Sequence, residues 1–117
     1  MYSELLLRHF RNSRRVGSLA PPAVTVRVEN PICGDILTIS VVVDHGAVSD
    51  ARFQVRGCTA SIAAGSALAD MLVGRSCRDV HSIGADAVEN ALGGLPNESK
   101  HVARLAADAV KALARQL

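Results

Sequence analysis

The segment from residue 36 to residue 55 limits the possible folds more than any other part of the chain. Its first run, ILTISVVVD, is rich in β-branched residues, and a second run, AVSDARFQV, follows after only His45-Gly46. Two such runs around a two-residue turn are typical of a β-hairpin. A run that alternates in polarity, Val24 to Val28, precedes them. We therefore predict three strands in meander order, which form an antiparallel sheet.

The hydrophobic period becomes helical after Gly57-Cys58. Apolar residues recur at helical spacing from Thr59 to Val73, and Gly74 can end that helix in a left-handed conformation. Four more helical segments are predicted: residues 2–11 with a Leu6, Leu7 and Phe10 stripe, a turn from Ser76 to Val80, Ile83 to Leu92, and Asn97 to Gln116. Strands followed by helices predict an α+β fold, with helices packed on one face of a three-stranded antiparallel sheet.

The composition suits a single domain over residues 1–117 with an aliphatic core. Aromatic residues make up 3% of the chain, so Val, Leu, Ile and Ala must fill that core. With 13 basic and 11 acidic residues the net charge is only +2, which favours neither nucleic acid nor membrane binding. The basic excess lies at Arg8, Arg11, Arg14 and Arg15, where an electrostatic partner would first meet the chain. No apolar run is long enough to span a bilayer, and we predict a cytoplasmic protein.

Cysteine placement provides the first chemical signal. The three cysteines match no disulfide framework, and in a reducing compartment such residues serve as ligands, nucleophiles or core residues. Cys33-Gly34-Asp35 forms a turn just before the hairpin, and Cys58 comes just after it. Because both ends of a hairpin meet at one end of the sheet, two thiolates and one carboxylate are expected to converge there. Gly34 could let the backbone pass close to a bound ion.

A fourth ligand must come from farther along the chain, and His101 in the first turn of the last helix is the best candidate. Two cysteines, one histidine and one aspartate suit zinc, or iron held mainly by sulfur. Other interpretations stay open at this point. Cys33 and Cys58 could be buried small hydrophobic residues, and His101 a surface histidine. Asp35 could be an ordinary turn residue, and Cys77, without a second ligand nearby, is interpreted as structural.

Several motifs together resemble those of one protein family. The opening MYSELLLRHFRNSRRVGSL is similar to MYSxxxxxHFxNPRNVGxL, and ENPICGDILTISVVVD is similar to NPxCGDxxxxxxxVD. The segment SDARFQVRGCTASIAAGSALADMLVGRS resembles xDxxFxxxGCxxSxASxSxxxxxxxGKS, and LPNESKHVARLAADAVKAL resembles LPPVKxHCxxLAEDAI. These patterns belong to the U-type iron–sulfur cluster scaffolds, the group of the NifU N-terminal domain, IscU and SufU. The similarity extends over nearly the whole chain.

The resemblance implies a scaffold fold and a non-enzymatic role. Such a protein binds iron or a [2Fe-2S] cluster, receives sulfur from a cysteine desulfurase and supplies iron–sulfur acceptor proteins. The implied ligands are Cys33, Asp35, Cys58 and a histidine–cysteine pair on the last helix. In this chain the pair is His101 and Val102, so the third cysteine is missing. Cys33 or Cys58 would then have to receive the sulfur.

The missing cysteine leaves an alternative function. The chain could be a zinc-binding relative of the scaffolds that regulates or binds a desulfurase. A zinc hydrolase is disfavoured because the site has no general base other than Asp35, which would have to leave the metal. The chaperone-recognition pattern LPPVK is also altered, to Leu95-Pro96-Asn97-Glu98-Ser99.

Overall fold

The computed structural model describes residues 1–117 and contains one sheet and five α-helices. Its three strands pair in sequence order, and both pairings are antiparallel. This confirms the predicted α+β class and the three-stranded meander. The elements are α1 (Glu4–Arg11), β1 (Val24–Glu29), β2 (Ile36–Asp44), β3 (Ala47–Arg56), α2 (Thr59–Leu72), α3 (Cys77–Val80), α4 (Ala85–Ala91), a 3-10 turn (Asn97–Ser99) and α5 (His101–Ala114).

The register of the central strand decides which side chains enter the core. Ile39 of β2 lies between Val26 of β1 and Phe53 of β3, and all three are buried. Side chains alternate across a strand, so Leu37 and Val41 share the buried face with Ile39. At the end of the sheet where β2 begins and β3 ends, Ile36 pairs with Arg56. The residues just before β2 and just after β3 are thereby brought side by side.

Helix α2 lies close to the sheet. It is built largely from Ala, Ser and Gly, and ten of its 14 residues are buried. A methyl group added at Gly65 would lie 2.6 Å from Cδ2 of Phe53 and 3.0 Å from Cγ2 of Val55. The small residues of α2 therefore serve close packing against β3. Helix α5 covers β1 and β2 with the predicted stripe of buried apolar residues: Val102, Leu105, Ala106, Ala109 and Leu113.

Two sequence expectations need correction at the helices. Phe10 was expected in the buried stripe of α1, but its side chain is 38% exposed and Leu6 is the residue that α1 buries. The last helix was expected to begin at Asn97, but α5 begins at His101 after the 3-10 turn. Ser3 caps α1, because its hydroxyl accepts a hydrogen bond from the Leu6 amide at 3.0 Å. None of the helices combines the length and apolar character needed to cross a bilayer.

The segment after α1 is hydrogen-bonded to the sheet. The Gly17 amide donates to the Phe53 carbonyl at 2.8 Å, and the Phe53 amide donates to the Arg15 carbonyl at 2.9 Å. Residues 15–17 thus add a short parallel contact along the outer edge of β3. The edge strand is covered over part of its length, which limits pairing with other chains.

The close approach of α2 gives the first prediction. Gly65→Ala should lower the free energy of unfolding by about 1–3 kcal/mol, because overpacking against the buried Phe53 ring outweighs the gain in helix propensity. Chemical denaturation would measure this. The matched control is Gly84→Ala, where an added methyl group meets nothing within 4 Å and only the N-cap of α4 changes. A Gly65→Ala protein as stable as the wild type would contradict this close packing of α2 on β3.

Candidate metal centre

A tight loop before β2 carries two of the predicted ligands. The Asn30 side chain accepts a hydrogen bond from the Ile32 amide at 2.9 Å, and the Gly34 amide donates to the Asn30 carbonyl at 2.7 Å. Gly34 has a φ of 79°, a value that favours glycine. The loop closes where the Asn30 amide donates to the Asp35 carbonyl at 2.9 Å. Cys33 and Asp35 are therefore held at the end of the sheet by backbone hydrogen bonds.

The structure brings Cys33 and Asp35 together with His101. One potential ligand atom from each lies within 4.8 Å of the other two. His101 Nε2 is 3.6 Å from Asp35 Oδ2, and its side chain is 33% exposed. The loop before β2 and the start of α5, more than 60 positions apart in sequence, thus offer a thiol, a carboxylate and an imidazole to one point. All three are donor types that bind zinc or iron.

Cys58 lies beside this cluster but is not part of it. Its Sγ is 3.9 Å from Asp35 Oδ2 and 3.2 Å from Ser61 Oγ. It occupies the N-cap position of α2, immediately after β3 and Gly57. The four predicted ligands therefore share one region, with Asp35 as the residue that both Cys58 and His101 approach.

Exposure separates the interpretations that the sequence left open. Cys33 and Cys58 are both exposed, so their interpretation as buried small hydrophobic residues is wrong. Asp35 is only 7% exposed, unlike an ordinary solvated turn residue. His101 is half-buried and faces a carboxylate, whereas His81 is exposed. Cys77 is half-buried in α3 and does not belong to the cluster.

Two residues that the sequence analysis missed hold the Asp35 side chain. The hydroxyl of Ser61, buried in the first turn of α2, donates a hydrogen bond to Asp35 Oδ2. A methyl group at Gly57 would lie 2.8 Å from Asp35 Cγ, so only glycine leaves room for the carboxylate. The spacing of Ser61 from Cys58 was a usable signal. A residue three positions after the N-cap lies on the same side of the helix as the N-cap residue.

Ser61 also contacts the Cys58 thiol, which couples the two candidate ligands. A serine hydroxyl has one hydrogen to donate and lone pairs to accept. If Ser61 donates to Asp35, the Cys58 S–H can donate to Ser61 across their 3.2 Å separation.

The position next to His101 belongs to the core. Val102 is fully buried in the apolar cluster and offers no ligand atom. No cysteine stands in for the thiol that the family pattern places there, since Cys77 is not among the clustered groups. The sulfur ligands available to this site are therefore Cys33 and Cys58.

An ion pair fixes the chain just before His101. Lys100 Nζ lies 2.5 Å from Glu89 Oε2, and the same carboxylate oxygen accepts from the Leu95 amide at 3.2 Å. The Lys100 hydrogen bond holds the pKa of Glu89 below its ordinary value, with a smaller contribution from Leu95. A carboxyl with a depressed pKa stabilises the fold above its unfolded-state pKa, and that stabilisation is lost as the pH falls through the folded-state pKa. The anchoring of the α5 N-terminus is thus retained at neutral pH.

Comparison with known proteins places this geometry in a family. The family model described as the NifU-like N-terminal domain matches residues 1–116. The iron–sulfur cluster assembly scaffold protein IscU 1 of Archaeoglobus fulgidus is 40% identical over 111 residues, which cover 95% of this chain and 72% of that protein. IscU of Haemophilus influenzae is 35% identical over 115 residues, with 95% and 90% of the two chains covered.

Solved structures show the same fold. The NifU-like N-terminal protein of Brucella abortus superposes with a TM-score of 0.73 at 17% identity, over 98% of this chain and 95% of that one. The SufU protein of Fervidobacterium islandicum also reaches 0.73, at 19% identity, over 95% and 94% of the two chains. Family model, relatives and fold agree, and the chain belongs to the NifU-like N-terminal domain family.

Proposed function

We propose that residues 1–117 act as a single-domain iron–sulfur cluster assembly scaffold or carrier. The observation that carries the proposal is the convergence of Cys33, Asp35 and His101 within 4.8 Å, with the exposed Cys58 beside them. The iron–sulfur scaffold names of the relatives from Archaeoglobus and Haemophilus support it. The chain would hold iron or a [2Fe-2S] cluster as cargo and pass it to acceptor proteins, with no reaction of its own as an enzyme.

The donor set suits such cargo. Two thiolates provide the sulfur ligation that iron in clusters prefers, and mixed nitrogen and sulfur ligation is also established for [2Fe-2S] centres. Asp35 would provide the carboxylate and His101 the imidazole. Both thiols reach the surface, so sulfur and iron can arrive from a partner without opening the core.

Sulfur would come from a cysteine desulfurase and be received by Cys33 or Cys58. The receiving thiolate attacks the outer sulfur of the desulfurase persulfide and forms a new S–S bond. The old S–S bond breaks, and the desulfurase cysteine leaves as a thiolate. Val102 cannot take part because it has no thiol, so sulfur transfer in this chain depends on the two cysteines at the end of the hairpin.

One observation favours a second candidate function. With Val102 buried, the site has two thiols, one imidazole and one carboxylate, which is also a fitting set for a single tetrahedral zinc ion. The alternative is a zinc-binding relative of the scaffolds that binds or regulates a desulfurase.

Reconstitution separates the two functions. The protein, purified without oxygen, is expected to take up iron and sulfide from ferrous iron, cysteine and a desulfurase, and to develop the visible absorption of a cluster. Metal analysis before and after gives iron and zinc per chain. If one zinc stays bound and no absorption develops, the scaffold function fails and the zinc-binding alternative stands.

A pair of histidine variants tests the ligand set. His101→Ala should weaken zinc or ferrous iron binding by at least about 100-fold, because loss of a direct ligand should exceed the ~10–100-fold effect of outer contacts. His81→Ala, which changes an exposed histidine outside the cluster, is the matched control. Chelator competition gives both affinities. Equal effects in the two variants would exclude His101 as a ligand.

The support of Asp35 by Ser61 can be tested in the same assay. Ser61→Ala removes the hydroxyl that holds the carboxylate and should weaken metal binding by about tenfold. Gly57→Ala should act in the same direction by displacing the carboxylate. The control is Ser82→Ala, whose exposed hydroxyl only caps the Asp79 carbonyl. Unchanged metal affinity in Ser61→Ala and Gly57→Ala would show that the Asp35 position does not matter for binding.

A further inference from the structure

A second charged feature lies away from the metal centre. A cleft of about 480 Å³ opens between α1, the segment after it, the middle of β3 and the C-terminal part of α2. We call it the basic cleft and define it by four arginines together with Leu5 and Asp70; the arginines are Arg8, Arg14, Arg15 and Arg52. Asp70 follows Cys58 by twelve residues along α2, about 18 Å of helix. The cleft therefore lies toward the opposite end of α2 from Cys58.

Two of the four arginines are held by acidic neighbours. Arg15 Nε is 3.1 Å from Asp70 Oδ1, and Arg15 also lies 3.4 Å from Asp50 Oδ1. Arg52 pairs with the same Asp50 oxygen. Arg8 and Arg14 have no carboxylate within 4.0 Å and are exposed. The acids therefore order one side of the cleft, while two guanidinium groups keep their full charge for a ligand.

The cleft is built on an ordered frame. The segment that carries Arg14 and Arg15 is hydrogen-bonded to β3 through Phe53, and the Ser13 hydroxyl donates to the His9 carbonyl at 2.7 Å. His9 in turn contacts Ser66 of α2 through its Nδ1, at 3.0 Å. A pre-ordered set of arginines loses less entropy on binding than a mobile one.

Exposed apolar side chains gather in the same part of the chain. Four of the six large hydrophobic side chains that remain exposed belong to the first 16 residues: Met1, Leu5, Phe10 and Val16. Arginine is enriched at protein–protein interfaces together with apolar side chains, and Leu5 lies in the cleft with the arginines. Small-molecule pockets are mostly apolar inside, whereas Leu5 is the one hydrophobic residue that lines this cleft.

The charge distribution indicates the chemistry of the partner. The first 16 residues contain four arginines and one glutamate, a net charge of +3, while the remaining nine basic and ten acidic residues sum to −1. Guanidinium groups bind carboxylates with paired hydrogen bonds. We propose that the basic cleft docks an acidic segment of a partner protein, with aspartate or glutamate on Arg8 and Arg14 and an apolar residue against Leu5.

Peptide binding to the full chain tests this surface. The probe is a short fluorescent peptide rich in glutamate with a central leucine, and its glutamine analogue is the reference. Anisotropy at low salt should show binding of the glutamate peptide, weakening as salt rises, and little binding of the analogue. The double variant Arg8→Gln/Arg14→Gln should weaken binding by about tenfold. Zinc affinity should not change, which separates this test from the proposed metal function.

The matched control is Arg78→Gln/Arg115→Gln, which removes the same charge from two exposed arginines outside the cleft. An equal loss of peptide binding in both double variants would show that binding depends only on net charge, and would overturn the proposal. So would cleft-dependent binding of tripolyphosphate without binding of the peptide, which would indicate a small-anion site. A dimer in sedimentation that Arg8→Gln/Arg14→Gln abolishes would instead assign the surface to a second copy. Thermal melts verify that each variant folds.

Discussion

The pairing of β2 with β3 is the constraint on which the rest of the molecule depends. It places Ile36 opposite Arg56, so that Asp35 and Gly57 become neighbours at the end of the sheet. A slip of one residue would turn the buried face of the shifted strand toward solvent. The burial of Ile39 and Phe53 therefore fixes the register, and the register fixes the candidate metal centre. Core packing and the position of the site are two results of one strand alignment.

The site itself divides into a buried half and an exposed half. A carboxylate removed from water is costly unless hydrogen bonds replace its hydration, and Ser61 provides such a bond to Asp35. Cys33 and Cys58 stay at the surface, where a thiol can meet a partner. His101 lies between these extremes. A rigid buried anion with reachable thiols around it suits cargo that must enter and leave while the protein stays folded.

Most of the fold could be predicted from local sequence patterns. Several features of the candidate site could not, because they depend on tertiary contacts. The hairpin, the stop at Gly74 and the stripe of α5 follow from periodicity and turn chemistry within short windows. The roles of Gly57 and Ser61 depend on how closely α2 approaches the loop before β2, a distance that no local pattern contains. The basic cleft could not be predicted from local patterns either. Arg52 and Arg14 come together only because the N-terminal segment folds onto β3.

Two adjacent residues of α5 have different roles: Val102 packs in the core, and His101 faces the candidate metal centre. Consecutive helix positions point about 100° apart, so His101 can face Asp35 while Val102 enters the core. A valine in that core position provides apolar packing where the family pattern has a thiol. The helix thus keeps its packing and its histidine without the third sulfur. The candidate sulfur ligands that remain, Cys33 and Cys58, lie outside the core, at the strand ends that the β2–β3 register brings together.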